Sequence, residues 1–209
     1  MAVALPGLAM ANDATEAAPA AEETAGAGAM AAFRESHDKV TNLVDKGASA
    51  ADLQAQVDSL LDYDWIAQSA LGGATRYEER CADQCDQFKD LLSKLIRQNY
   101  LKRVFKKDRG TVVYIEEKVR KKASKVSTLV TYTTDEGITH TVEIDYVMHK
   151  IDGKWLVRDI ITEGVSLAKT YKYEFRKLHK EGGIDLINRR LESKLSELAK
   201  ADTSTPSKP

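Results

Sequence analysis

The chain has 209 residues, with 31 Lys and Arg against 32 Asp and Glu and a net charge of −1. That length suits one domain with ragged ends, and the balanced charge removes the usual electrostatic argument for a nucleic-acid binder. With 43% hydrophobic and 30% charged residues the composition is that of an ordinary globular protein, and no stretch approaches the roughly 18–20 uninterrupted apolar residues of a membrane span.

The charges are unevenly placed. No Lys or Arg precedes Arg34, and residues 1–33 contain 14 alanines. Residues 1–11, MAVALPGLAMA, are short and apolar and end in Ala9-Met10-Ala11, the small-x-small pattern of a signal-peptidase site. They read as the remnant of a signal peptide whose start lies upstream; a plain Ala-rich start is the alternative. Residues 12–32 are mostly Ala, Gly, Glu and Thr with Pro19, and offer too little apolar surface to order themselves. A disordered linker is expected there, one folded domain over residues 33–200, and a disordered polar tail over 201–209.

Residues 30–104 read as helical. Ala32, Phe33, Val40, Leu43 and Val44 make a first apolar stripe, which Gly47 stops. Ser49 is placed to cap a second helix carrying Leu53, Val57, Leu60 and Leu61, with Asp52 in its first turn. Tyr63 to Leu71 forms a short third helix, ended by Gly72-Gly73. A longer helix then carries Cys85, Phe88, Leu91, Leu92, Leu95, Ile96, Tyr100 and Val104, whose spacings of three and four share one face. After Gly110 the period changes to two. Val113, Ile115 and Val119 alternate with polar neighbours, as do Val126, Val130 and Tyr132, with Thr128 between them. Asp135-Glu136-Gly137 is a turn. Ile138, His140, Val142, Ile144, Tyr146 and Met148 form a long alternating strand. Asp152-Gly153 is a two-residue hairpin signal, followed by a last strand with Trp155, Val157 and Ile161 on one face. Gly164 ends the sheet. Helix returns with Val165, Leu167, Ala168, Tyr171, Phe175 and Leu178, breaks at Gly182-Gly183, and resumes with Ile184, Ile187, Leu191, Leu195 and Leu198. The fold class is α+β: a curved antiparallel sheet of about four strands, of the NTF2/cystatin-like kind, covered by N- and C-terminal helices.

Chemistry-bearing patterns are few. Cys81 and Cys85 are four apart on one face of a predicted helix, within disulfide reach but poorly directed for a relaxed bridge, so two thiols are favoured over a disulfide or a metal site. His37, His140, His149 and His179 show no ligand spacing. Gly164-Val165-Ser166-Leu167-Ala168 superficially resembles a nucleophile elbow, but it lacks the second glycine and follows a meander, so Ser166 reads as a helix-start cap. Asp159 lies among apolar neighbours and reads as structurally paired, with an Arg or a backbone amide. Two basic clusters stand out: Lys102, Arg103, Lys106, Lys107 and Arg109, and Lys118, Arg120, Lys121, Lys122 and Lys125. Helix-dipole and sheet-edge roles account for them; a patch for anionic headgroups or an acidic partner is the alternative. A sheet with a helical cover is either filled by its own side chains or left hollow for an apolar ligand, and periodicity does not separate the two.

Three segments resemble one family. Asp62-Tyr63-Asp64-Trp65-Ile66-Ala67-Gln68-Ser69-Ala70-Leu71-Gly72 is similar to its Asp-led helix ending in Leu-Gly. Phe88, Leu91, Leu92 and Tyr100 are similar to its F-x-x-L-L followed by Tyr. Gly153 to Leu167, GKWLVRDIITEGVSL, is similar to its Trp-, Asp- and Gly-Val-Ser-bearing strand and helix start. Together they resemble the MlaC (toluene-tolerance) family of periplasmic phospholipid-binding proteins, over about residues 33–198. The chain departs from it at Ala74-Thr75-Arg76-Tyr77 and Glu79-Arg80, where the family carries a Trp and a Gln-Arg pair, at Thr170-Tyr171-Lys172 for its Asn-Tyr-Arg, and in its paired cysteines.

The resemblance implies a non-enzymatic, soluble periplasmic carrier. It would hold phospholipid acyl chains in an apolar cavity, with no cofactor and with phospholipid as cargo. Its partners would be an inner-membrane MCE-domain ABC transporter and an outer-membrane lipoprotein complex, with no nucleic acid. The expected lipid-contacting wall is Val113, Ile115, Val130, Tyr132, Val142, Ile144, Tyr146, Met148, Ile160, Val165, Leu167, Tyr171, Phe175, Ile187 and Leu191. The helical cover is expected to open near Gly72-Gly73 and Gly182-Gly183. The competing readings are a small-molecule enzyme or ligand-binding domain on an NTF2-like sheet, and an interaction module using the basic clusters.

Overall fold

Ser49 does cap the second helix: its hydroxyl accepts from the Asp52 amide at 3.2 Å. In the computed structural model, which describes residues 28–105, 110–134 and 136–203, the chain opens with five helices. They are α1 (Ala29–Asp45), α2 (Ala50–Asp58), α3 (Tyr63–Ala70), α4 (Ala74–Cys81) and α5 (Cys85–Phe105). Four long strands follow, β1 (Thr111–Arg120), β2 (Ala123–Thr133), β3 (Thr139–Ile151) and β4 (Lys154–Thr162), then a two-residue β5 (Val165–Ser166) and a long α6 (Leu167–Thr203). The expected signal-peptide remnant, most of the expected linker, Lys106, Lys107, Arg109 and Asp135 lie outside the described residues, as does the tail beyond Thr203. Helix α1 starts at Ala29, inside the stretch read as linker, because Ala29 is fully buried and Phe33 nearly so. These residues find an apolar partner that the linker composition did not reveal.

The strands run in the order β1-β2-β3-β4-β5, each antiparallel to the next. This is the α+β architecture expected: a curved antiparallel sheet with helices on one face. Asp152 and Gly153 both take positive φ (48° and 80°), as a two-residue hairpin turn between twisted strands requires. Glu163 and Gly164 repeat that pattern (49° and 80°), so the chain does not leave the sheet at Gly164 but turns back to pair Val165 and Ser166 with β4.

Two bulges set which residues face inward. In β1 the register shifts between Tyr114 and Glu116, leaving Ile115 without a partner on β2. Val112 and Tyr114 face the helices before the bulge and Glu117 does after it. Val113 and Ile115, expected inward, are 49% and 53% exposed on the outer face. The Glu117 carboxylate meets the N-terminus of α1, accepting from the Ala29 and Met30 amides at 2.9 and 3.1 Å. An anionic group there satisfies free N–H groups and complements the helix dipole. In β4 the second bulge falls at Arg158, and inward facing passes from Val157 to Ile160.

The solid core lies between α2, α3, α5, α6 and one end of the sheet. Leu53, Val57, Leu92, Phe88, Met148, Val157 and Ile187 are all buried there. Phe88 meets Phe175 edge-on at 5.6 Å between ring centroids, which ties α5 to α6. Cys81 and Cys85 are joined as a disulfide with Cα atoms 4.8 Å apart, and the favoured reading of two thiols is corrected. The helix does not run through them. It breaks at Ala82, whose φ is +48°, and a single 3-10 turn (Ala82–Gln84) redirects the chain before α5. Helix α6 keeps the expected break, since Gly182 and Gly183 leave helical geometry, but the chain continues as one kinked element.

Candidate functional site: a hollow between helices and sheet

Away from the solid core, the concave face of the sheet is not filled. A cavity of about 850 Å³ opens between it and the helices α1, α5 and the start of α6. That is in the upper part of the range for small-molecule sites. The sheet contributes Val112, Tyr114, Val130, Ile144, Tyr146, Ile160 and Thr162, while α5 adds Ile96, Asn99 and Tyr100. Leu61, Val165, Leu167, Thr170 and Tyr171 complete the apolar side. Helix α1 presents His37, Asp38, Thr41 and Asp45, spaced along one helical face. The hollow has a clear cause. Beyond the contact of His37 with Tyr114, the short branched side chains of Val112, Val130, Ile144 and Ile160 face the polar stripe of α1 without filling the space between.

The polar groups are graded with depth. Asp38, Asp45, Asn99 and Gly110 are exposed and mark the mouth, together with Val165. Just inside lies a cluster of ring groups. His37 Nδ1 is 3.1 Å from the Tyr114 hydroxyl, and the Arg34 guanidinium lies 4.4 Å over the Tyr114 ring. The Tyr100 hydroxyl is buried and has no hydrogen-bond partner among the described residues. Phe33 packs beneath, its ring 4.1 Å from that of Tyr146. Burial, then the Asp38 charge, pushes Tyr114 up to about 12. Burial does the same to Tyr171, with Glu174 adding to it. Burial also raises Tyr100, helped by Tyr146 and Tyr114. These phenols stay protonated, so the interior carries hydroxyl donors and no fixed charge.

His37 supplies a pH dependence. Burial lowers its pKa below the ordinary 6.5, with Asp38 opposing. The unfolded chain therefore takes up this proton before the folded one does. The His37 contribution is fully present above about pH 6.5 and is lost as pH falls below it. Urea unfolding between pH 8 and pH 5 is expected to show a smaller loss of stability in His37→Gln than in the parent chain. Equal losses would remove His37 as a source of acid sensitivity.

Of the residues expected from the sequence, Val130, Ile144, Tyr146, Ile160, Val165, Leu167 and Tyr171 are brought together around the cavity. Met148, Phe175, Ile187 and Leu191 are in the solid core instead. Tyr132 lies beyond the cavity, 38% exposed and stacked on His140 at 5.5 Å, and Val142 does not line it. The expected wall lacks the whole α1 side, Leu61, Ile96, Asn99 and Tyr100, Gly110, Val112 and Tyr114, and Thr162 and Thr170. The only signal for the α1 wall was its polar residues recurring at helical spacing.

The residues weighed for other chemistry are used structurally. The Ser166 hydroxyl donates to Asp159 at 2.6 Å and accepts from the Lys169 amide at 3.1 Å, while Asp159 accepts from the Ala168 amide at 2.9 Å. Together they cap α6: Ser166 is the expected helix-start cap, and Asp159 takes the backbone-amide partner of its two expected alternatives. Among the described residues no group of three His, Cys, Asp or Glu side chains is placed to hold a metal ion. In the second basic cluster, Lys118 pairs with Glu116 and Lys125 with Asp145, both at 2.6 Å. Arg120, Lys121 and Lys122 are exposed at the β1–β2 tip, at the far end of β1 from the cavity.

A comparison with curated proteins gives no match. Among solved structures, a phospholipid-binding protein from Ralstonia solanacearum, determined in complex with a phospholipid, superposes with a TM-score of 0.67. It shares 24% identity and covers 83% of this chain and 99% of its own, which shows a common fold. The model of the MlaC protein family matches residues 31–193, most of the chain and every residue that lines the cavity. The chain belongs to the MlaC protein family.

Proposed function

We propose that this protein is a soluble periplasmic phospholipid carrier. It holds acyl chains in the cavity and hands lipid between an outer-membrane lipoprotein complex and an inner-membrane MCE-domain ABC transporter. The observation that carries the reading is the 850 Å³ hollow, lined by Val112, Val130, Ile144, Ile160 and Leu167 and by protonated tyrosines. Burying acyl methylenes at about 0.8 kcal/mol each lets such a site compete with a bilayer. Family membership supports it, as does the phospholipid held by the Ralstonia protein of like fold. The Cys81–Cys85 bridge suits an oxidising compartment. In this reading the protein is a carrier rather than an enzyme, phospholipid is cargo, and no cofactor or nucleic acid takes part. Of the polar groups that an NTF2-like enzyme would draw on, Asp159 is engaged in capping α6 and His140 is exposed, stacked on Tyr132 beyond the cavity. In this reading the cover opens for transfer near Gly72-Gly73 and at Gly182-Gly183; the break in helical geometry of α6 at the second pair supports it.

The test is solvent extraction and mass spectrometry of the chain purified after export. Phospholipid in near-equal molar amount is expected. Extracts free of phospholipid, from protein that also takes up none from vesicles, would overturn the reading.

A further inference from the structure

We propose that Tyr100 determines specificity at this site: its buried hydroxyl donates a hydrogen bond to a glycerol-ester carbonyl of the bound diacyl lipid. The proposal rests on the carrier reading and adds to it which part of the lipid is recognised. The starting observation is a polar atom with no partner. Tyr100 Oη is buried, lies in the cavity wall, and has no hydrogen-bond partner among the described residues. Its neighbours Tyr114 and Tyr146 do not satisfy it. The Tyr114 hydroxyl is itself engaged, with His37 Nδ1. A buried hydroxyl left unpaired is destabilising, so its place in an otherwise tolerant wall calls for an acceptor.

Depth selects which acceptor. Asn99, the preceding residue on α5, is exposed at the mouth, as are Asp38 and Asp45 on α1. Deeper in, Ile96, one helical turn earlier on α5, joins Val130, Ile144 and Ile160 in an aliphatic wall. Tyr100 therefore stands at the boundary between a wet mouth and a dry interior. A diacyl phospholipid has the same order along its length: charged phosphate, neutral ester carbonyls, then hydrocarbon. The phosphate is too costly to desolvate beside uncharged phenols and remains at the mouth. The chains offer no acceptor. The ester carbonyls alone are both neutral and able only to accept, which complements a phenol kept protonated by burial. No headgroup atom is needed for this contact, so the site discriminates by linkage chemistry rather than by headgroup.

The experiment compares dipalmitoyl phosphatidylcholine with its diether analogue, which keeps headgroup and chains but lacks both carbonyls. Binding to the delipidated full chain is measured for the parent and for Tyr100→Phe. A net hydrogen bond of about 1 kcal/mol corresponds to about fivefold in affinity. The parent is expected to prefer the diester about fivefold, and Tyr100→Phe to bind the two lipids equally. Because the ratio is read within each variant, a general loss of fold does not imitate the result. Lipid-free Tyr100→Phe is also expected to melt no lower than the parent, since no protein partner is lost. An equal affinity of the parent for both lipids, or an unchanged ratio in Tyr100→Phe, overturns this inference and leaves the carrier reading standing. A parent chain that binds neither lipid overturns both.

Discussion

Val130→Trp and Ile160→Trp are each expected to lower the phospholipid retained by the purified chain about tenfold, with little change in melting temperature. Both side chains lie on the concave face and border empty space. An indole there extends into the hollow without displacing packed atoms, and it takes the place of ligand methylenes. Displacing two of them at about 0.8 kcal/mol each is worth roughly tenfold in affinity. Met148→Trp is the control. Met148 is on the same strand face as Ile144 but is fully buried in the solid core. Overpacking there is expected to cost about 1–3 kcal/mol. Retained lipid and melting temperature should therefore separate cleanly: the first falls in the cavity variants, the second in Met148→Trp. If Val130→Trp and Ile160→Trp destabilise the chain as Met148→Trp does, the concave face is packed and the hollow is not a ligand site.

The contrast between Ile144 and Met148 also marks what the sequence could convey. The alternation from Ile138 to Met148 placed Ile144, Tyr146 and Met148 on one face, which is how the structure arranges them. It could not say that one end of this face meets the close-packed helices α3, α5 and α6 while the other meets the polar stripe of α1. A core wall and a cavity wall use the same residues, and only the element opposite decides. The β1 face was read one residue out of phase because Val112, Val113, Tyr114 and Ile115 are all compatible with burial. On such a run the bulge and the pairing with β2 fix the phase, and neither has a local signature. The Asp152-Gly153 turn is legible because positive φ restricts which residues serve, whereas Gly164, which reads as the end of the sheet, makes the same kind of turn with Glu163. The disulfide was misread for the opposite reason. Nothing in Cys81 to Cys85 announces a helix break, and Ala82 adopts its positive φ through the surrounding structure.

Asp62→Ala is expected to destabilise the chain by about 3–5 kcal/mol, because one carboxylate holds two distant segments together. Asp62 caps α3 by accepting from the Trp65 amide at 3.1 Å, and its other oxygen accepts from Arg158 Nε at 2.8 Å. The pair is largely buried, with side chains 19% and 13% exposed. The Arg158 guanidinium also lies 5.4 Å over the Trp65 ring. The β4 bulge is what allows this. It inserts Arg158 as an extra residue between Val157 and Asp159, while the backbone of Val157 bonds to Leu60 and Asp62 on either side of Leu61. Removing the carboxylate leaves Arg158 buried without its counter-charge, and that accounts for most of the loss. Asp62→Asn separates the two roles, since Asn caps a helix as well as Asp does and only the charge pairing is lost. It should recover about 1 kcal/mol relative to Asp62→Ala. The double variant Asp62→Asn with Arg158→Met should recover more, since no unpaired charge remains. Urea unfolding of the three variants checks the order. If Asp62→Asn equals the parent, the cap alone carries the contribution and the ion pair adds nothing. If the double variant is no more stable than Asp62→Asn, stranding Arg158 is not the source of the loss.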